Sequence, residues 1–187
     1  YEEMLEMASL GAKVLQTRSV ETAMTNNVAL RVLSSFENLN ESKGTIVTDE
    51  DSINDQRIVT GVTSSVNDCK ITLIGVRDKP GIAAKIFSSL SENNINVDMI
   101  VQNISESAKT TDITFTIPKA DIKNAEKIMK QLRTDVTYES ILIDSNIAKI
   151  SIVGVGMRSN AGVAAKMFNV LSENDINIDV ILSLIHI

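Results

Sequence analysis

CKITLIGVRDKPGIAAKIFSSLSENNINVDMIVQN, from Cys69 to Asn103, returns between Ala148 and Leu184 as AKISIVGVGMRSNAGVAAKMFNVLSENDINIDVILSL. The first parts align at an offset of 79 and the later parts at 81, so the second copy carries two extra residues in the loop after its first strand. From Gly81–Asp98 to Gly162–Asp179, 12 of 18 positions are identical, and most differences are conservative, such as Ile82/Val163, Ile86/Met167 and Val97/Ile178. Such a self-match marks a duplicated module and sets the frame for every other reading.

Each copy has a physical grammar. Lys70–Val76 (KITLIGV) and Lys149–Val155 (KISIVGV) alternate and are rich in β-branched residues, as half-buried strands are. A glycine-containing loop follows. Ile82, Ala83, Ile86, Phe87 and Leu90 then recur at helical spacing, matched by Val163, Ala164, Met167, Phe168 and Leu171. Asn93-Asn94 and Asn174-Asp175 end these helices, because Asn tolerates the left-handed conformation of a helix terminus. In the first copy a second strand is expected over Ile95–Ile104 and a third over Thr110–Ile117, stopped by Pro118. A helix over Ala120–Leu132 and a last strand over Tyr138–Ile143 complete it. The order β-α-β-β-α-β is that of a split βαβ sandwich, two helices on one face of a four-stranded antiparallel sheet. The second copy has room for β-α-β only, and an unclosed sheet exposes apolar surface.

Working outward, residues 1–50 have a different texture. Tyr1–Ala8 and Val14–Asn26 read as helices, Ala29–Ser35 and Gly44–Val47 as strands. Thr48–Arg57, with acidic and amide residues at Asp49–Asp51 and Asn54–Asp55, reads as a linker, and Arg57–Val62 as one more strand. The main boundary is placed near residue 50.

The composition excludes much. The 187 residues fit one generous domain or two small ones, and the start at Tyr1 suggests a piece of something longer. A net charge of −6 and an aromatic fraction of 3% argue against nucleic acid, which calls for a basic footprint and stacking platforms. Cys69 and His186 are the only soft ligands and stand alone, so no metal site and no nucleophile–base pair are expected. Cys69 and the seven methionines read as packing residues. No apolar run reaches a membrane span and the first residues lack the basic-then-apolar order of a signal peptide, so no membrane partner is expected. With a single cysteine the chain suits a reducing compartment, the cytoplasm. Gly154-Val155-Gly156 before a helix imitates a dinucleotide fingerprint, but the third glycine, Gly162, falls six residues on rather than three. Asn40-Glu41-Ser42 and Asn103-Ile104-Ser105 match the glycosylation pattern without meaning in such a compartment.

Several stretches resemble the aspartate kinase family. EMASLGAKVLQTRSVETA (Glu6–Ala23), RVLSSF (Arg31–Phe36) and Gly44-Thr45 look like the end of its catalytic domain. VTGV (Val59–Val62), KITLIGVRDKPGIAAKIF, NINVDMIVQNIS and KTTDITFTIP look like the two ACT domains that come after it. The resemblance covers nearly the whole chain, to about Ile181. It implies an α+β fold of tandem ferredoxin-like ACT modules. Residues 1–47 would be the end of an α/β amino-acid-kinase domain, 48–57 a linker, 58–66 a joining strand, 67–144 the first ACT domain and 148–181 a truncated second. It further implies a parent enzyme that transfers the ATP γ-phosphoryl group to the side-chain carboxylate of L-aspartate, using ATP and magnesium. End-product amino acids, lysine and/or threonine, would inhibit it through the ACT domains. No cofactor site and no catalytic residue are expected in this chain, since phosphoryl transfer needs a phosphate cradle, a cation and positioning groups that it does not supply. The implied partners are the amino-acid effector and a second chain, a homodimer through ACT domains or full-length kinase chains. A stand-alone amino-acid-sensing ACT protein is the alternative, disfavoured by the kinase-like Glu6–Phe36.

The effector reading also rests on chemistry. The loop Asp78-Lys79-Pro80-Gly81 runs into a helix whose first amides have no internal partner, a seat for a carboxylate that Gly81 leaves approachable. Asp78 supplies a charge for the ammonium. Asn96, Val97 and Asp98 are read as beginning the facing strand, with the two-way amide of Gln102 farther along it. The resemblance places the effector at Asp78, Ile82, Ala83, Asn96–Asp98 and Gln102. The second copy offers Ser159, Asn160, Ala161, Gly162, Val163, Asn177, Ile178 and Asp179, without an equivalent of Asp78. It would complete an interface or form a weaker site. The plainer alternatives are that Gly81 and Gly162 only make tight turns, and that Asp98 and Asp179 only face solvent. Leu182–Ile187 (LSLIHI) departs from the polar segment the resemblance implies and matches one reading frame of a sequencing adapter, so 182–187 is expected to be a non-native tail.

Overall fold

In the computed structural model, which describes residues 1–38, 41–52, 57–104, 110–158 and 160–182, thirteen helices and strands succeed one another. They are α1 (Glu2–Ser9), α2 (Thr17–Thr25), β1 (Leu30–Val32), β2 (Thr45–Val47), β3 (Gly61–Ser65), β4 (Asp68–Arg77), α3 (Ile82–Glu92), β5 (Ile100–Ile104), β6 (Thr110–Pro118), α4 (Ile122–Leu132), β7 (Ser140–Asp144), β8 (Lys149–Val153) and α5 (Val163–Glu173). Two compact units result: Ser65–Lys149, and Tyr1–Ser64 together with Ile150–Ile187. The sequence reading divides the chain near residue 50 and gives the second copy a domain of its own. In the structure the second copy shares a unit with residues 1–64, because its strand β8 pairs with β3.

Residues 65–149 form the β-α-β-β-α-β sandwich, with strand order β5-β6-β4-β7 and every neighbouring pair antiparallel. Alternation decides which face is buried. Cys69, Ile71, Leu73 and Val76 of β4 face the helices beside Ile113, Phe115 and Ile117 of β6. Lys70, Thr72 and Thr114 take the other face, where the two threonine hydroxyls lie 3.0 Å apart. α3 adds Ile86 and Leu90 to the core, α4 adds Ala125, Ile128 and Met129, and Phe87 meets Phe115 edge to face at 5.6 Å between ring centres.

Several boundaries differ from the sequence reading for local reasons. The strand expected over Ile95–Ile104 enters the ladder only at Ile100. Asp98 N–H donates to the Thr116 carbonyl at 3.1 Å and Met99 N–H to its hydroxyl at 3.1 Å. Thr116 N–H donates back to the Met99 carbonyl at 3.0 Å, so two residues oppose one and the strand bulges. The last strand starts at Ser140 rather than Tyr138, because Tyr138 is buried and its hydroxyl donates to the Met129 carbonyl at 3.0 Å. The strand expected over Arg57–Val62 begins at Gly61; before it, Thr60 N–H donates to the Val153 carbonyl at 2.9 Å and the chain passes Gly154 closely. Residues 176–182 form no strand, since no second strand offers them a ladder among the described residues.

The helix ends match the expected chemistry in both copies. Asn94 and Asp175 each have φ 56°, and the next amide reaches back to the helix, Ile95 N–H to the Leu90 carbonyl at 3.0 Å and Ile176 N–H to that of Leu171 at 2.9 Å. Burial does not repeat. Ile86 and Leu90 are fully buried in α3, whereas α5 buries no residue. Elsewhere in its unit, Val20, Ala23 and Val47 form a small core with Tyr1, flanked by Met4, Leu5, Leu15 and Leu30. No helix among the described residues is long and apolar enough to cross a membrane. Residues 39–40, 53–56, 105–109, 159 and 183–187 lie outside the description, among them part of the linker and most of the expected tail.

The asymmetry is measurable. Leu90→Ala is expected to cost about 2–5 kcal/mol in urea unfolding, against less than about 1 kcal/mol for the aligned Leu171→Ala; equal losses would contradict the difference in packing. Cys69 gives a second handle. Burial, with added repulsion from the Asp144 carboxylate, pushes its thiol above the ordinary range. The folded-state value is the raised one, so the stability it contributes is complete below the unfolded thiol's pKa and is lost as pH climbs through the folded value. Iodoacetamide at a mildly alkaline pH should label Cys69 slowly in buffer and rapidly in urea, and equal rates would count against this burial.

Candidate functional site

β4 ends in an exposed loop, Asp78-Lys79-Pro80-Gly81, that opens onto the start of α3. Gly81 caps the helix at φ 90°, ψ −10°, a left-handed conformation that L side chains resist. A Cβ there would meet nothing within 4 Å, so conformation rather than crowding demands the glycine. Ile82 N–H donates to the Lys79 carbonyl at 3.3 Å, and the regular ladder begins with Lys85 N–H to Gly81 at 3.0 Å. No side chain caps this end, and the exposed Ala83 and Ala84 amides make no backbone bond among the described residues. These orphan donors, with the positive end of the helix dipole, form a surface suited to a carboxylate. Ile82 is half-buried against the core, and Asp78 lies exposed one loop earlier.

Strand register shows which other residues share that end of the sheet. β5 and β4 are both antiparallel to β6 and therefore run the same way. Gln102 pairs with Ile113, which pairs with Leu73, so Gln102 lies on the helix-side face at the middle of the sheet. Asn96, Val97 and Asp98 lie toward the opposite end: Asp98 bonds to Thr116, whose partner on β4 is Lys70. From Lys70 to Asp78 the chain advances roughly 20–25 Å at about 3.3 Å per residue, farther than one amino acid reaches. The structure thus keeps Asp78–Ala83 together at one end, places Gln102 midway along the sheet and leaves Asn96–Asp98 at the other end. Asn96–Asp98 precede the strand rather than beginning it. Val97 packs against the core, Asn96 is exposed, and the Asp98 carboxylate is ion-paired with the Lys149 ammonium.

The second copy repeats the local geometry. Gly162 caps α5 at φ 95°, ψ −4° with open space at its Cβ, and Lys166 N–H donates to Gly162 at 2.9 Å. The two extra residues are absorbed in a 3₁₀ turn over Val155–Arg158, where Asn160 Nδ2 donates to the Gly156 carbonyl at 2.8 Å. Ala161 is exposed and Val163 half-buried. Asn177, Ile178 and Asp179 sit in a segment without ladder, and Ser159 lies outside the described residues. Among the described residues no group of three or more His, Cys, Asp or Glu side chains could hold a metal ion.

Two residues at the loop's root, Gly75 and Asp112, read from the sequence only as strand or interface residues. Gly75 stands inside β4 at φ 67°, and the register slips between Leu73 and Val76, so Ile74 and Gly75 together oppose Asp112. Gly75 N–H donates to Asp112 Oδ1 at 2.9 Å. The available signal was a glycine interrupting an alternating strand, which marks bulges. The aligned Gly154 answers to a different need: a Cβ there would lie 2.3 Å from the Ile58 carbonyl oxygen.

Two helices on one face of a four-stranded antiparallel sheet in the order β5-β6-β4-β7 define a split βαβ sandwich of the ferredoxin-like class. The family model for the ACT domain matches residues 71–131 and 150–183. The aspartokinase of Pseudomonas aeruginosa is 50% identical over 183 residues, covering 97% of this chain and 43% of that protein. The crystal structure of the regulatory subunit of aspartate kinase from Thermus thermophilus, ligand free, is 37% identical with a TM-score of 0.62, covering 68% of this chain and 83% of that one. The aspartate kinase of Clostridium acetobutylicum has a like fold, with a TM-score of 0.80 at 20% identity over 98% of this chain and 41% of that one. The chain belongs to the ACT domain family and, by these relatives, to the aspartokinases. It spans 43% of the length of these curated aspartate kinase relatives.

Gly81→Ala should cost about 1–2 kcal/mol through backbone strain alone, and Gly81→Asn less, since Asn tolerates a left-handed backbone. Urea unfolding of the three proteins checks this, and an alanine variant as stable as the wild type would remove the conformational requirement.

Proposed function

We propose that this chain is the regulatory part of an aspartate kinase and that it binds an amino-acid end product, lysine and/or threonine, to lower the kinase's activity. The observation that carries this reading is the match to a regulatory subunit of aspartate kinase, 83% of which the chain covers. The α3 start supports it chemically: a free amino acid would set its carboxylate against the amides at the α3 start and its ammonium against Asp78. Asn96–Asp98 lie too far away to meet the same molecule within one module, so they would serve an effector held by another module. The second copy, with no Asp78 counterpart, would complete an interface or hold a weaker site.

In the whole enzyme, ATP, magnesium and L-aspartate would be handled by residues other than these, with 4-phospho-L-aspartate as the product, in the cytoplasm. The chain by itself would be catalytically inactive. Effector binding would shift a population between two arrangements, with a coupling of roughly 1–3 kcal/mol. A second chain, a homodimer partner or a kinase chain, would find an open edge at β5, which pairs with β6 on one side only and leaves Ile100 50% exposed.

A thermal-shift screen with the twenty amino acids tests the reading. Lysine or threonine should raise the midpoint, and Asp78→Ala should weaken the responding amino acid at least about tenfold by calorimetry, the scale of a lost charge-assisted bond. No response to any amino acid would overturn the proposal, and unchanged affinity in the variant would remove Asp78 from the ammonium role.

A further inference from the structure

The Asp78–Gly81 loop inherits its position from the strand end three residues earlier, and that end is not a regular ladder. Ile74 and Gly75 together oppose the single Asp112 of β6, Gly75 takes φ 67°, and its N–H turns out of the backbone pairing. The Asp112 carboxylate receives that amide at 2.9 Å. On the other edge Glu139 N–H donates to the Ile74 carbonyl at 2.8 Å and Arg77 N–H to the Thr137 carbonyl at 3.2 Å. These three bonds add to the ladder pairs Val76↔Thr111 and Arg77↔Thr110, and one of the three comes from a side chain. A bulge kinks and twists its strand and so re-aims the residues beyond it, and a side-chain acceptor fixes the angle at which it does so. Asp112 is half-buried on the face of the sheet away from the helices, the face it shares with Thr114, while Thr111 and Ile113 are directed to the buried face.

We propose that Asp112 is a positioning residue for the amino-acid loop: by accepting the Gly75 amide it locks the β4 bulge and thereby aims Asp78 and the α3 amides at one ligand. This rests on the reading of Asp78–Gly81 as the effector loop. The required feature is an oxygen at the Oδ1 position, not the negative charge. Asn supplies the same acceptor without charge, Glu keeps the charge but moves the oxygen by one methylene, and Ala removes it.

The experiment compares wild type, Asp112→Asn, Asp112→Glu and Asp112→Ala by amide hydrogen exchange and by calorimetry with lysine and with threonine. In Asp112→Ala and Asp112→Glu the amides of residues 75–84 should exchange faster while those of α4 stay as in wild type. The amino acid that binds wild type should bind these two variants up to about tenfold more weakly, the scale of one lost hydrogen bond. Asp112→Asn should keep wild-type exchange and affinity. Residues 75–84 exchanging at the wild-type rate in Asp112→Glu and in any folded Asp112→Ala would overturn the proposal, as would Asp112→Asn behaving like the other two. If wild type binds neither lysine nor threonine, their assignment as effectors falls, while the exchange comparison still decides whether Asp112 holds the loop.

Discussion

β4 is hydrogen-bonded along both edges, from Asp68↔Pro118 to Arg77↔Thr110 against β6 and from Lys70↔Asp144 to Ile74↔Ser140 against β7. A strand flanked on both sides presents a continuous apolar face, and that face lets α3 and α4 bury Ile86, Leu90, Ala125, Ile128 and Met129. In the second copy the corresponding strand, β8, pairs with β3 in a two-stranded sheet. α5 carries nearly the same apolar spacing as α3 and buries none of it. An amphipathic helix is stabilised mainly by what it packs on, so the same residues do different energetic work in the two copies.

Short-range features behave in the opposite way. Gly81 and Gly162 take the same left-handed cap, and the Asn-ended helices close with the same bonds, although one helix is buried and the other is not. These geometries depend on a few consecutive residues and on backbone sterics, and such features survive a change of surroundings. The site inherits both kinds of control. Its glycine and its orphan amides are local; its aim depends on the bulge at Gly75 and on Asp112, contributed by a strand some forty residues away in sequence.

The candidate residues illustrate how far a linear reading reaches. Asp78 through Ala83 are contiguous, and their grouping at a helix start comes from the loop itself. Asn96–Asp98 and Gln102 look like neighbours on one strand, yet between them the chain climbs from one end of the sheet to its middle, past a bulge at Asp98–Met99 opposite Thr116. Asp98 also finds Lys149, 51 residues away, a pairing that no local pattern announces.

The duplicated segment, read alone, determines that the chain carries a repeated strand–loop–helix, where the helices stop, which faces are apolar, and which family it resembles, because these rest on short-range periodicity and turn chemistry. Only the tertiary structure decides which strand each copy pairs with, how much of each helix is buried, and which side chain holds the loop at the end of β4. Those outcomes depend on ladders between residues distant in sequence, and on register, where one extra residue such as Gly75 redirects everything after it.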